Sequence, residues 1–197
     1  MSFNFIKHKN PSDEELLISI ANGNGDSFNE LYSRYKDRLL YFFYRMLFQD
    51  KEVAKDFTQE IFIKIIQKPL LFDPKMKFST WIFSVANNMC KNEYRRRNVR
   101  KNTINNENPD IFTAEEYLST NHESIIKLIF YQLNTFDDSH KSAFLLKYRE
   151  GFSIDEISKI LELPKGTIKS RLFYTRKKIQ ENIKDQYPEI IDEYNLY

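Results

Sequence analysis

The chain is poor in the residues on which several protein classes depend. It has one cysteine, Cys90, in 197 residues. No intramolecular disulfide can form, which fits a protein of the reducing cytoplasm. Cys90 lies within a helical pattern, where a buried, inert thiol is expected rather than a reactive one. Glycine (4) and proline (6) are scarce, and few segments alternate apolar and polar residues. Both facts predict an all-α fold. No apolar run is long enough to span a bilayer, and Met1–Lys7 lacks the apolar core of a signal peptide.

Catalytic constellations are also missing from the pattern. His8, His122 and His140 are scattered without ligand spacing. Asp56 and Glu60 have the separation of a helical metal pair, but no histidine lies near them. There is no glycine-rich phosphate loop, nucleophile elbow or Cys/His cluster. No catalytic residue, metal or cofactor is expected, and a nuclease is disfavoured because its metal site is missing.

What the chain does have is segregated charge. Its net charge of +2 conceals two basic stretches. Lys75–Lys101 holds eight basic residues and one acid, Glu93, for +7. Lys165–Lys178 holds six basic residues and no acid. The remainder of the chain must therefore carry −11. Two compact basic patches on an otherwise acidic chain predict two separate contacts with nucleic acid.

The second patch lies in the most informative segment, Gly151–Arg171. Ser153 and Glu156 form an S-x-x-E capping box, which predicts a helix start. Ile154, Ile157 and Leu161 then share one apolar face. Pro164 cannot continue that helix but suits the first turn of another. In the next helix Ile168, Leu172, Thr175, Ile179 and Ile183 fall together, and Lys169, Ser170, Phe173, Arg176 and Lys177 point elsewhere. Two short helices across a tight turn, the second basic, are the layout of a DNA-binding helix-turn-helix. The alternative is a helical hairpin packed into an ordinary core with a wet basic face.

Residues 13–97 read as a first helical domain. Phe28, Leu31, Tyr32, Tyr35 and Leu39 share a face. A helix is predicted from about Lys51 to Gln67, with Val53, Ala54, Phe57 and Ile61 toward the core and Asp56, Gln59, Glu60 and Ile63 on another side. After Pro69 and Pro74 a third helix is predicted, with Ser79 as N-cap between Phe78 and Phe83. Trp81, Ile82, Val85 and Met89 would form its buried stripe. Asn87, Lys91, Tyr94 and Arg95 are expected to project together from its basic end. Aromatic rings with cations suit unpaired nucleic acid, although cations also belong at any helix C-terminus. The Asp56–Glu60 side is either a partner surface or a solvated face.

Residues 98–122 read as a linker. From Asn102 to Ile126 there are five acids and no lysine or arginine, a shift of the kind that marks a domain boundary. A second helical domain, 123–184, contains the helix-turn-helix, and 185–197 form an acidic tail.

Four segments in order resemble the bacterial RNA polymerase sigma factors, specifically the small, two-domain extracytoplasmic function (ECF) group. Asp26–Tyr35 resembles the opening of that family's first conserved domain. Ala54–Phe62 resembles its A-x-D-x-x-Q-E-x-F signature. Phe78–Asn88 is similar to its F-x-T-W-L-x-x-I-A-x-N segment. Gly166–Leu172 is similar to its G-T-V-K-S-R-L recognition helix. The likeness runs from about Asp26 to Ile183. The chain departs from the pattern at Asn87, usually Arg, at Asn92, often Asp, and at Tyr174–Arg176, commonly R-A-R.

The resemblance implies a non-enzymatic initiation factor that brings core RNA polymerase to promoters and helps melt them. It implies that Asp56, Gln59, Glu60 and Ile63 meet the clamp helices of the polymerase β′ subunit, with further contact to the β subunit. The loop Leu70–Lys77 would capture a flipped base of the minus-ten element. Lys77, Asn87, Asn88, Lys91, Tyr94, Arg95 and Arg96 would hold the melted strand. Lys165, Thr167, Lys169, Ser170, Arg171, Phe173 and Arg176 would meet the minus-thirty-five element as duplex. The acidic linker would thread through the polymerase toward the RNA exit path. An anti-sigma factor is a further implied partner, and no membrane insertion is expected. The alternative function is a helix-turn-helix regulator that does not engage polymerase.

Overall fold

A computed structural model describes residues 11–68, 72, 76–101 and 122–186. The parts of the expected linker and tail at 102–121 and 187–197 lie outside these residues. Among the described residues the structure is helical, without strands. The helices are α1 (Asp13–Ala21), α2 (Gly25–Met46), α3 (Lys51–Gln67), α4 (Phe78–Lys101), α5 (His122–Leu133), α6 (Asp138–Phe144), α7 (Ile154–Leu161) and α8 (Lys165–Gln186). A π-helical turn, Leu145–Arg149, continues α6. No helix among the described residues is long and apolar enough to cross a membrane.

Contacts divide the chain into two units, Met1–Ala86 and Asn87–Tyr197. The division falls inside α4, whereas the composition shift placed it after Arg97. α4 itself continues through Lys101, into the expected linker.

In the first unit the helix starts are set by local caps. Ser12 and Glu15 form a capping box on α1, with hydrogen bonds of 2.7 and 3.1 Å. Gly23, at φ 86°, makes the turn that a side chain would resist. Asn24 and Asp50 then cap α2 and α3. Arg34 of α2 binds Asp13 of α1 at 2.7 Å and its own neighbour Glu30 at 2.8 Å. The core is aromatic: Phe42, Phe43, Phe78 and Phe83 are fully buried. Phe42 meets Phe83 edge-on with centroids 5.5 Å apart, and Tyr35 meets Phe78 likewise at 5.2 Å. Burying each such ring is worth about 1.5–3 kcal/mol.

The start of α4 corrects an expectation. Ser79 is not its N-cap, because Phe78 is already helical. The Phe78 N–H donates instead to the Glu14 carboxylate of α1 at 2.8 Å. A carboxylate from another helix thus satisfies an orphan donor and favours the positive end of the helix dipole. The expected buried stripe is also shifted. Ile82 and Met89 are buried, but Phe83, Ala86 and Cys90 join them, and Trp81 and Val85 are only half-buried.

In the second unit Asp137 caps α6 by accepting from the backbone of Ser139 and His140. Gly151, at φ 75°, turns the chain into Phe152, whose N–H donates to Leu146 O at 3.0 Å. The predicted capping box of α7 is present: the Ser153 N–H donates to Glu156 and the Glu156 N–H donates back to Ser153 Oγ. Glu162 ends α7 in the left-handed region, φ 57°. Ser158 Oγ donates to Leu163 O at 2.6 Å across that turn. Pro164 lies just before α8, its carbonyl accepting from the Ile168 N–H, so it precedes the first turn rather than occupying it. Ile168, Leu172, Thr175, Ile179 and Ile183 are all buried, as their spacing predicted. Asn182 of α8 reaches Gln132 of α5 at 3.1 Å.

Candidate nucleic-acid interface

α8 presents one of three candidate faces. With its buried stripe turned inward, the helical turn of about 100° per residue leaves Ser170, Phe173 and Lys177 facing out. Lys165, Lys169, Ser170, Phe173 and Arg176 are exposed, and Thr167 is half-buried. Lys165 pairs with Asp155 of α7 at 2.8 Å, but an exposed pair of this kind is weak and easily exchanged. Lys177 lies 3.8 Å from Glu181. Arg171 differs from its neighbours. It is half-buried, and its Nη1 is buried without a hydrogen-bond partner.

On α4 the structure separates residues that the spacing grouped together. Asn87 is 2% exposed and accepts a 2.8 Å hydrogen bond from Ser142 Oγ of α6. Tyr94, two turns further along on the same side, hydrogen-bonds Asp138. Burial, with the nearby carboxylate, pushes the Tyr94 phenol above its ordinary range. Cys90 lies between them, buried, its thiol also pushed up by burial. Asn87, Cys90 and Tyr94 therefore form a packed side of α4, not an open one. The physical reason is that i, i+4, i+7 and i+8 span a wide arc, and the apolar ring and thiol take the inner part of it.

The open side of α4 holds the other half of the predicted set. Asn88 and Lys91 are half-exposed, and Asn92, Arg95 and Arg96 are exposed. Glu93 is buried on the inner side and holds Arg97 at 2.9 Å and Arg96 at 3.2 Å. Part of the basic patch is thus neutralised within the helix, and among the described residues of α4 Lys91 and Arg95 remain as cations on this side. Asn92 lies between Asn88 and Arg95 on this side and was not among the predicted contacts. Its spacing, four residues after Asn88 and three before Arg95, was a signal that could have found it.

Lys77 is exposed, and its carbonyl accepts from the Trp81 N–H at 3.0 Å. Of the loop Leu70–Lys77, only Phe72, Met76 and Lys77 are among the described residues. Phe72 packs edge-on against Trp81, centroids 5.7 Å apart.

On α3 the four predicted residues share one open face. Asp56, Gln59 and Glu60 are exposed, and Ile63 is 49% exposed. Glu60 pairs with Lys64 at 2.7 Å. Ile66, missed by the sequence reading, is a second exposed apolar residue one turn beyond Ile63. An acidic edge running into an exposed isoleucine pair suits a protein partner better than nucleic acid.

Comparison with known proteins bears on these faces. Residues 31–100 match the family model for sigma-70 region 2, and residues 140–179 match that for sigma-70 region 4. The ECF RNA polymerase sigma factor SigW of Bacillus subtilis is 26% identical over 189 residues, covering 86% of this chain and 95% of the relative. The ECF RNA polymerase sigma-E factor of Haemophilus influenzae is 27% identical over 182 residues, covering 87% and 95%. Among solved structures, the sigma factor RpoE in complex with the anti-sigma factor NepR from Bartonella quintana is similar in fold. Its TM-score is 0.64 at 22% identity, with 81% of this chain and 98% of that one covered. CnrH, in complex with the cytosolic domain of CnrY, gives 0.65 at 19% identity, covering 89% and 99%.

Proposed function

The chain belongs to the ECF group of RNA polymerase sigma factors, and from that premise we propose how its exposed faces divide the work. As a sigma factor it directs core RNA polymerase to promoters. The α3 face of Asp56, Gln59, Glu60 and Ile63 binds the β′ clamp helices, and a further contact reaches the β subunit. α8 enters the major groove of the minus-thirty-five element. The open side of α4, with Asn88, Lys91 and Arg95, holds the melted strand of the minus-ten element.

The observation that carries this reading is the exposed side of α8, which offers Lys169, Ser170, Phe173 and Arg176 with no acid before Glu181. Phosphate contacts from the lysines would set affinity, and contacts to base edges would set specificity. Arg171 Nη1 is buried, so a contact from Arg171 to DNA would use its other nitrogens or need the side chain to turn outward. Asn87 and Tyr94 are assigned to holding α6 in this arrangement, so a role for them in strand capture would require α6 to leave.

The protein supplies binding and positioning, with no catalysis of its own, and it works in the cytoplasm alongside polymerase. An anti-sigma factor is proposed as a further partner, as NepR is for the Bartonella protein. Co-purification with core polymerase tests the assignment of α3. Asp56→Arg with Glu60→Arg should abolish it while leaving the helical signal unchanged. Retention of polymerase by that variant would remove the α3 face from the account.

A further inference from the structure

Resting on the reading of α8 as the helix that enters duplex DNA, we infer that Tyr174 sets specificity by meeting the 5-methyl group of thymine. Tyr174 lies on the outward strip of α8 beside Ser170, Phe173 and Lys177. It is 64% exposed, the most exposed aromatic ring among the described residues, and Phe173 is 54% exposed. The two rings stand edge to face, centroids 5.7 Å apart and planes at 75°. An edge-to-face contact of this kind is favourable for the two rings.

Packing does not account for this pair. The rings contribute little to the buried face, which is formed by Ile168, Leu172, Thr175 and Ile179. A phosphate contact would use only the Tyr174 hydroxyl and leave the ring itself unused, and Lys169 and Arg176 are the groups suited to neutralise phosphate. Large apolar surface at the centre of a basic DNA-facing strip needs an apolar partner in the groove. On the major-groove edge of DNA the thymine methyl is the largest apolar group, the other positions being hydrogen-bond donors, acceptors or small ring C–H groups. Tyr174 therefore reads thymine within the duplex element, with Ser170 and Lys177 flanking it.

The test uses holoenzyme reconstituted from the full chain and core polymerase, on promoters selected from a library. Each thymine of the selected minus-thirty-five element is replaced singly by deoxyuridine, which removes only the methyl group. Transcription should fall about fourfold at the contacted thymine, the factor expected for burying one methyl-sized group. Tyr174→Phe should keep the preference for thymine over uracil, and Tyr174→Ser should abolish it. The inference is overturned if wild-type holoenzyme transcribes every uracil template equally well, or if Tyr174→Ser still discriminates. A selected element that contains no thymine overturns it as well. An active holoenzyme indifferent to the methyl defeats this inference alone, whereas absence of any promoter-specific product defeats the sigma-factor reading beneath it.

Discussion

Ser142 Oγ donates a 2.8 Å hydrogen bond to Asn87 Oδ1, and both residues are buried. This one bond separates Asn87 from Asn88, its neighbour in sequence. Asn87 faces α6, while Asn88 is half-exposed on the other side of α4. The two asparagines are therefore predicted to fail in different ways. Asn87→Ala leaves Ser142 Oγ without its acceptor and should cost about 1–3 kcal/mol of stability in chemical denaturation, with promoter choice unchanged. Asn88→Ala should stay within about 0.5 kcal/mol of wild type but reduce promoter opening, read as permanganate reactivity of unpaired thymines. The reverse pattern would contradict the assignment of the two sides of α4.

Glu14 caps α4 from a different helix, accepting the Phe78 N–H at 2.8 Å. Glu14→Ala should remove that cap at a cost of about 1 kcal/mol. Hydrogen exchange gives the local readout: amides from Phe78 to Trp81 should exchange faster, and those at the start of α8 should not change.

Asp137 makes α6 sensitive to pH. Burial pushes its carboxyl up, but hydrogen bonds from Ser139 and His140 outweigh this and hold it below the ordinary carboxylate range. A carboxyl lowered in the folded state stabilises fully above its unfolded value, near 3.8, and loses that contribution as pH falls through the folded value. Asp137→Ala should therefore be about 1 kcal/mol less stable than wild type at neutral pH. Denaturation curves taken at falling pH should show the gap closing below about pH 4. A gap that stays constant down to strong acid would mean that the cap does not depend on charge.

Lys169 is exposed on α8 with no acid placed against it among the described residues. If it contacts a phosphate, Lys169→Ala should weaken binding by holoenzyme nearly equally across minus-thirty-five sequences. It should also reduce the slope of log affinity against log salt by about one. A loss confined to one base position would instead make Lys169 a base reader.

Much of the fold could be read where neighbours in sequence decide the outcome. The bounds of α3 follow from its apolar spacing and the Asp50 cap. The α7 capping box and the five buried positions of α8 are likewise written in local pattern. The start of α1 was equally legible, since Ser12 and Glu15 form the same S-x-x-E pair. What could not be read depends on distant partners. Ser79 looks like a cap until Glu14, far away in sequence, takes that position. Asn87 and Tyr94 look like outward polar residues until Ser142 and Asp138 are seen against them. The positive φ of Phe48 and Gln49 between α2 and α3 has no glycine to announce it. The outward faces of α3 and α8 were easier because each is the complement of a clear apolar stripe.

The central claim is that this chain directs polymerase to promoters through two DNA contacts. Run-off transcription with core polymerase on a promoter library tests it most directly. The account predicts discrete transcripts only when the protein is added, from templates sharing two short elements separated by a fixed spacing. Core polymerase that yields no promoter-specific product with the protein present would contradict it.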